Sequence, residues 1–155
     1  MAEEIERKFL VRSDAWRALV QRSAYYQQGY LTVNENCTVR VRLEGERALL
    51  NIKNTTLDIR RQEYEYAIPL ADAREILDTL CAGRRLSKTR HFVAHDGEVW
   101  EVDEFDGANR GLVLAELELT DVDQAFDRPD WLGAEVSGDA RYTNAALATR
   151  PYSSW

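Results

Sequence analysis

The chain has 155 residues, 45% of them hydrophobic, the size of one ordinary domain whose core needs neither disulfides nor a structural metal. Its formal net charge of −7 argues against nonspecific nucleic-acid binding, which draws its affinity from clustered Lys and Arg on phosphates. No stretch approaches the ~20 apolar residues of a membrane span, and Met1-Ala2-Glu3-Glu4 opens acidic, unlike a signal peptide, so a soluble cytoplasmic protein with no membrane partner is expected.

Along the chain, short segments of period-2 alternation separated by turn residues predict a mainly β (α+β) fold. Eight strands are expected: Glu3 to Val11, Tyr25 to Val33, Thr38 to Leu43, Ala48 to Lys53, Arg60 to Ile68, Arg85 to Ala94, Glu98 to Phe105 and Gly111 to Thr120. Helices are expected over Asp14 to Arg22, Ala71 to Leu80 and Asn144 to Thr149. Glu44-Gly45-Glu46 and His95-Asp96-Gly97 are hairpin signals, because Gly supplies the positive φ that such turns require. With no repeat, linker or low-complexity tract, residues 1–155 read as a single domain.

Cys37 and Cys81, far apart and outside any CxxC arrangement, suit free thiols. Of the 20 basic residues only Lys8, Lys53 and Lys88 are lysine, the rest being arginine, which suggests that these three positions require a compact ammonium.

Residues two apart in a strand share a face. One face thus collects Glu4, Glu6 and Lys8, and others collect Arg40 and Arg42, Asn51 and Lys53, Arg61, Glu63 and Glu65, Lys88 and Arg90, Glu101 and Asp103, and Glu116 and Glu118. The opposite faces are apolar, as in Val39, Val41 and Leu43 or Ala115, Leu117 and Leu119. Either the apolar faces meet in a sandwich core with the charges in water, or the charges line a lumen and the apolar faces pack under the helices. Periodicity alone favours the first.

Segregation by sign favours the second. The pattern E-x-E occurs at Glu4/Glu6, Glu63/Glu65 and Glu116/Glu118, while R-x-R and K-x-R form equally pure cationic pairs. Like charges repel by up to about 4 kcal/mol at 4 Å with an effective dielectric near 20, a cost removed by a counter-ion between them. Paired carboxylates suit a hard divalent cation, and paired Arg or Lys suit phosphate oxygens. Seven carboxylates against six cations leave −1, and two divalent ions would raise that to +3. Tripolyphosphate, carrying about four negative charges, would nearly balance it.

Glu4-Ile5-Glu6-Arg7-Lys8 resembles the ExExK signature of the CYTH, or triphosphate tunnel metalloenzyme, superfamily. The likeness continues through Gln28-Gly29-Tyr30-Leu31, Arg40-Val41-Arg42, Lys53, Arg61-Gln62-Glu63-Tyr64-Glu65, Lys88-Thr89-Arg90, Asp103, Glu116-Leu117-Glu118, Glu135-Val136 and Asp139-Ala140-Arg141-Tyr142. It implies a closed eight-stranded antiparallel β-barrel tunnel with a charged lumen and a few flanking helices. It further implies Glu4, Glu6, Asp103, Glu116 and Glu118 near Mg²⁺ or Mn²⁺, and Lys8, Arg40, Arg42, Lys53, Lys88 and Arg90 on the phosphates. Glu6 and Lys8 would be catalytic, with Glu63, Glu65 and Arg61 in support.

The activity this implies is metal-dependent hydrolysis of a small triphosphate, inorganic tripolyphosphate first, because the chain carries no appended domain or aromatic-rich insertion to hold a base or thiamine ring. A class IV type adenylate cyclase, a thiamine triphosphatase and a noncatalytic triphosphate or polyphosphate sensor are the alternatives, and a homodimer is kept open. Oxygen ligands alone point away from zinc. His91 and His95 read as solvated, Trp16, Trp100 and Trp131 as packing residues, and Arg84-Arg85 as a helix C-terminal cap.

Overall fold

The computed structural model describes residues 2–155. Nine strands form: β1 (Glu3–Val11), β2 (Val20–Val33), β3 (Cys37–Glu44), β4 (Arg47–Asn54), β5 (Arg60–Ala67), β6 (Arg85–His95), β7 (Glu98–Phe105), β8 (Val113–Glu118) and β9 (Leu132–Glu135). Helix α1 (Leu70–Thr79) follows β5, and α2 (Asn144–Thr149) follows β9. Antiparallel pairing runs β5-β4-β3-β2-β6-β7-β8-β1, and β5 returns to β1 through Glu3–Gln62, Glu4–Arg61 and Ile5–Arg60, closing an eight-stranded barrel. The fold class expected from the sequence is therefore the one observed.

Two elements differ from the sequence-based expectation. The helix expected over Asp14 to Arg22 is a single 3-10 turn, Ala15–Leu19, and β2 begins at Val20. Residues 20–24 already pair with β6, Val20 opposite Val93 and Ala24 opposite Arg90, so ladder hydrogen bonds override the weak local helical pattern. The added strand β9 pairs with the far half of β1, Phe9 opposite Glu135 and Val11 opposite Leu132. Four residues carry too little alternation to announce a strand.

Both hairpin turns form. Gly45 takes φ +62°, and Asp96 and Gly97 take +48° and +78°, two consecutive positive values of the kind that match the twist of the flanking strands.

The apolar faces turn outward and are covered. Ile5, Phe9, Val93, Trp100, Val102, Ala115 and Leu117 pack beneath Trp16 and Trp131. Trp100 meets Phe9, Phe126 and Trp131 edge-on at centroid distances of 5.6, 5.8 and 5.7 Å, which confirms the tryptophans as packing residues. A second cluster places Val41 and Ala48 beneath Ala73, Leu77 and Cys81 of the α1 region.

Gly29 of β2 lies tight against α1 and the turn after it, where an added Cβ would stand 2.7 Å from Cys81 Cβ and 2.8 Å from Leu77 Cδ2. Overpacking of this kind costs about 1–3 kcal/mol. Gly29→Ala is accordingly expected to lower the thermal midpoint by several degrees without changing ligand affinity, readable by calorimetry alongside a binding titration.

The inward faces are charged along most of their length and apolar at one end. Leu86 precedes Lys88 and Arg90, Leu114 precedes Glu116 and Glu118, and Phe105 follows Glu101 and Asp103 on the same faces. Leu86, Phe105, Leu112 and Leu114 cluster with Leu147 of α2, so the helix seals that side of the barrel interior. Among the described residues no helix is long and apolar enough to cross a membrane.

Candidate functional site

The inward faces enclose a cavity of about 960 Å³. Glu4, Glu6, Glu101, Glu116 and Glu118 line it from β1, β7 and β8, and Arg40, Arg42 and Lys53 line it from β3 and β4. Register accounts for the grouping: Glu6 lies opposite Glu118, while Lys8 and Glu101 flank Glu116 from either neighbouring strand. Across the barrel, Lys53 lies opposite Glu63 and Asn51 opposite Glu65, and the Asn51 amide donates to Glu63 at 2.6 Å and to Glu65 at 3.4 Å. Arg61, opposite Glu4 at the β1–β5 closure, also lines the cavity.

Ion pairs join the two walls. Lys53 Nζ stands 2.9 Å from Glu4, and Lys8 Nζ stands 3.5 Å from Glu116 while donating to the Tyr142 carbonyl at 3.0 Å. Arg42 holds Glu44 at 2.5 Å and approaches Glu65 at 3.8 Å. Among the described residues, Arg40 has no carboxylate within 4 Å, and its Nε, like that of Arg42, is buried without a hydrogen-bond partner. These cations are held in place with donor capacity to spare.

The acidic wall has too little positive charge. Burial first, then Glu116 and Glu4, push the Glu6 carboxyl up to about 8. Burial likewise drives Glu101 up to about 7, against Arg90 and with help from Glu116 and Glu6, and raises Glu118 alongside Glu4. Glu116 goes the other way: burial opposes its ionisation, but Lys8, Arg90 and Lys88 hold it well below the usual carboxylate range. One firmly ionised carboxylate beside three proton-seeking ones fits a site completed by a cation.

Glu6→Gln is expected to stabilise the metal-free protein. A carboxyl whose pKa is raised on folding costs nothing below about pH 4.5, and its penalty grows as pH rises toward 8. In EDTA the thermal midpoint of the variant should exceed that of the parent by roughly 3–6 °C at pH 8 and coincide with it near pH 4, given about 2–4 °C per kcal/mol for a chain of this length.

Lys88, Arg90 and Asp103, expected on the phosphates and near a metal, pair with one another. Asp103 is fully buried and off the cavity wall, accepting from Lys88 Nζ at 2.6 Å and from Arg90 Nε and Nη2 at 2.7 and 2.9 Å. Both of its oxygens are therefore occupied by cations in this structure. Lys88, 1% exposed, also reaches Asn144 Oδ1 at 3.4 Å and sits 5.5 Å from the Phe105 ring, which places it at the cavity floor. Arg90 spends its remaining donors on Glu101 and, at 3.1 Å, on Glu116. It lines the cavity but is saturated by three carboxylates. The physical reason is register: Arg90 lies opposite Asp103, and both stand at the boundary where the interior turns apolar.

Glu101 is the functional candidate that the sequence-based ligand set leaves out. Its signal was present, since it shares a face with Asp103 and stands nearer the open part of the lumen. Tyr26, between the Arg42 and Arg90 guanidiniums at 4.7 and 5.3 Å, and the segment Ala140–Thr149 also contribute to the wall. His91 and His95 lie off the cavity, paired with Ser23 and Glu104 and with Asp127. Arg84 donates to the Leu80 carbonyl at the end of α1 and to Tyr30 and Leu31, and Arg85 pairs with Asp78.

A family model described as the CYTH domain matches residues 2–152. The chain belongs to the CYTH family. It is 45% identical over 152 residues to an inorganic triphosphatase of Acetivibrio thermocellus, covering 98% of this chain and 97% of that protein. It is 39% identical over 149 residues to an inorganic triphosphatase of Nitrosomonas europaea, covering 94% and 96%. Among solved structures, the inorganic triphosphatase NE1496 aligns with a TM-score of 0.68 at 36% identity, over 96% of each chain. A CYTH chain with this charged barrel is what the sequence led one to expect.

Proposed function

We propose that this chain hydrolyses inorganic tripolyphosphate to pyrophosphate and phosphate with Mg²⁺ or Mn²⁺. The observation that carries the reading is the facing of an acidic wall and a basic wall across one cavity, in a chain closely similar over its length to two proteins named inorganic triphosphatase. Arg40, Arg42, Lys53 and Lys8 bind and orient the phosphate oxygens, Glu63 and Glu65 support them by holding the Asn51 amide beside Lys53, and Arg61 adds a cation to the same cavity wall. Glu4, Glu6, Glu116 and Glu118, with Glu101 beside them, form the acidic wall from which one or two carboxylates at a time would hold the metal.

Among the described residues no three His, Cys, Asp or Glu groups converge on a preformed metal point. That suits a cation bound by one or two carboxylates together with substrate oxygens and water, the habit of Mg²⁺. When bound, the ion withdraws charge from the phosphate oxygens and lowers the pKa of a coordinated water. Lys8, fixed by the Tyr142 carbonyl and Glu116, keeps one N–H for the phosphate chain and stabilises charge on the leaving pyrophosphate. Lys8, Arg40 and Glu116 are themselves buried, which strengthens the contacts that they make.

Phosphate release from tripolyphosphate, ATP and thiamine triphosphate, with Mg²⁺, Mn²⁺ and EDTA and with chromatography for cyclic AMP, tests the proposal. EDTA-sensitive release from tripolyphosphate is the expected result. Cyclic AMP from ATP, or binding without product, would overturn it in favour of a cyclase or a sensor.

A further inference from the structure

Gln28 lies on β2, facing the barrel interior, and is fully buried, yet neither its amide nitrogen nor its amide oxygen has a hydrogen-bond partner. Directly opposite it across the β2–β3 ladder is Arg42, whose buried Nε is likewise without a partner. Buried polar groups in folded proteins are almost always paired, so an unsatisfied acceptor and an unsatisfied donor on facing residues need an account.

The guanidinium of Arg42 explains why they do not meet. Its Nη2 is drawn to Glu44 at 2.5 Å and toward Glu65 at 3.8 Å, with its face over the Tyr26 ring at 4.7 Å. Glu44 has a second cation at hand in Arg47, 4.0 Å away, and can be released to it. A phosphate in the cavity competes with Glu44 for the terminal nitrogens of Arg42, because a guanidinium binds phosphate oxygens through a pair of parallel N–H groups. Turning those nitrogens toward the phosphate reorients Nε.

We infer that Gln28 is a positioning residue whose amide oxygen receives Arg42 Nε–H in the ligand-bound arrangement, so that Arg42 alternates between a Glu44-held state and a Gln28-held, phosphate-facing state. The inference rests on the reading of this cavity as a triphosphate site. Gln28 touches no substrate itself; it acts by making the productive guanidinium orientation the satisfied one.

Gln28→Met keeps the side-chain volume and removes both amide atoms, which makes it the test. The variant should keep or raise the midpoint of the ligand-free protein, since two unpaired polar atoms are gone. Its KM for tripolyphosphate should rise about tenfold with kcat within about twofold, the value of one charge-assisted hydrogen bond. The thermal shift that tripolyphosphate produces in EDTA should shrink in parallel. In an Arg42→Lys background, which lacks the guanidinium Nε–H, Gln28→Met should add no further rise in KM. A lower ligand-free midpoint with unchanged KM, or a full additional loss in the Arg42→Lys background, would overturn the inference. If the parent protein neither turns over tripolyphosphate nor shifts its midpoint with it, the reading of the cavity fails instead and this inference with it.

Discussion

Asp103→Ala is expected to lower the thermal midpoint by about 10–15 °C. Asp103 is fully buried and supplies both oxygens that neutralise Lys88, at 2.6 Å, and Arg90, at 2.7 and 2.9 Å. Removing one partner of a buried ion pair costs about 3–5 kcal/mol, because the remaining charge keeps its desolvation penalty. A chain of this length loses about 2–4 °C per kcal/mol. Burial opposes ionisation of Asp103, but Arg90 and Lys88 hold its carboxyl below the usual range. A carboxyl depressed on folding contributes stability above its ordinary pKa and loses it as pH falls through the folded value. The deficit of the variant should therefore be full at pH 7 and narrow in strong acid, which calorimetry across pH would show. A deficit under about 1 kcal/mol would mean that the Lys88–Asp103–Arg90 cluster is not the brace its geometry indicates. Asp103→Asn should fall between the two, since it keeps the shape and one acceptor.

Glu116→Gln is expected to reduce kcat for tripolyphosphate by roughly 10²–10³, the usual cost of losing one preorganised electrostatic contact. Glu116 stands where the walls meet: Lys8 at 3.5 Å, Arg90 at 3.1 Å, and Glu101 opposite it in the ladder. As the carboxylate that Lys8 and Arg90 keep ionised while Glu6 and Glu101 are pushed up, it is the proposed anchor for a cation, which would share its oxygens with those two side chains. The variant should also need more Mg²⁺ for half-maximal activity, and metal titrations of both proteins measure that difference directly. An unchanged metal requirement with intact turnover would remove Glu116 from the metal site. The two substitutions separate by what they damage, Asp103→Ala acting on stability and Glu116→Gln on chemistry.

Much of the barrel was legible because a strand has a period of two. Glu4, Glu6 and Lys8 had to share one face and Ile5 and Phe9 the other, whatever packed against them. The purity of the charge pairs then told which face was interior, since Glu63/Glu65 or Arg40/Arg42 side by side are tolerable only around a counter-charge. The CYTH resemblance rested on the same residues. The helix over Asp14 to Arg22 and the strand Leu132–Glu135 were misread or missed because short elements are set by their ladder partners, which local pattern does not contain.

The amino-acid sequence by itself determined the alternating stripes, the sign of each stripe and the hairpin turns, all of which follow from neighbours along the chain. Only the tertiary structure decided which stripe residues face an open cavity and which are consumed by one another. Lys88 and Asp103 match Lys53 and Glu101 in type and spacing, yet the first two neutralise each other against an apolar floor while the second two line the cavity. The reason is depth along the barrel: register and shear set how far each residue lies from the Leu86–Leu114–Leu147 seal, and no periodicity along a single strand encodes that distance.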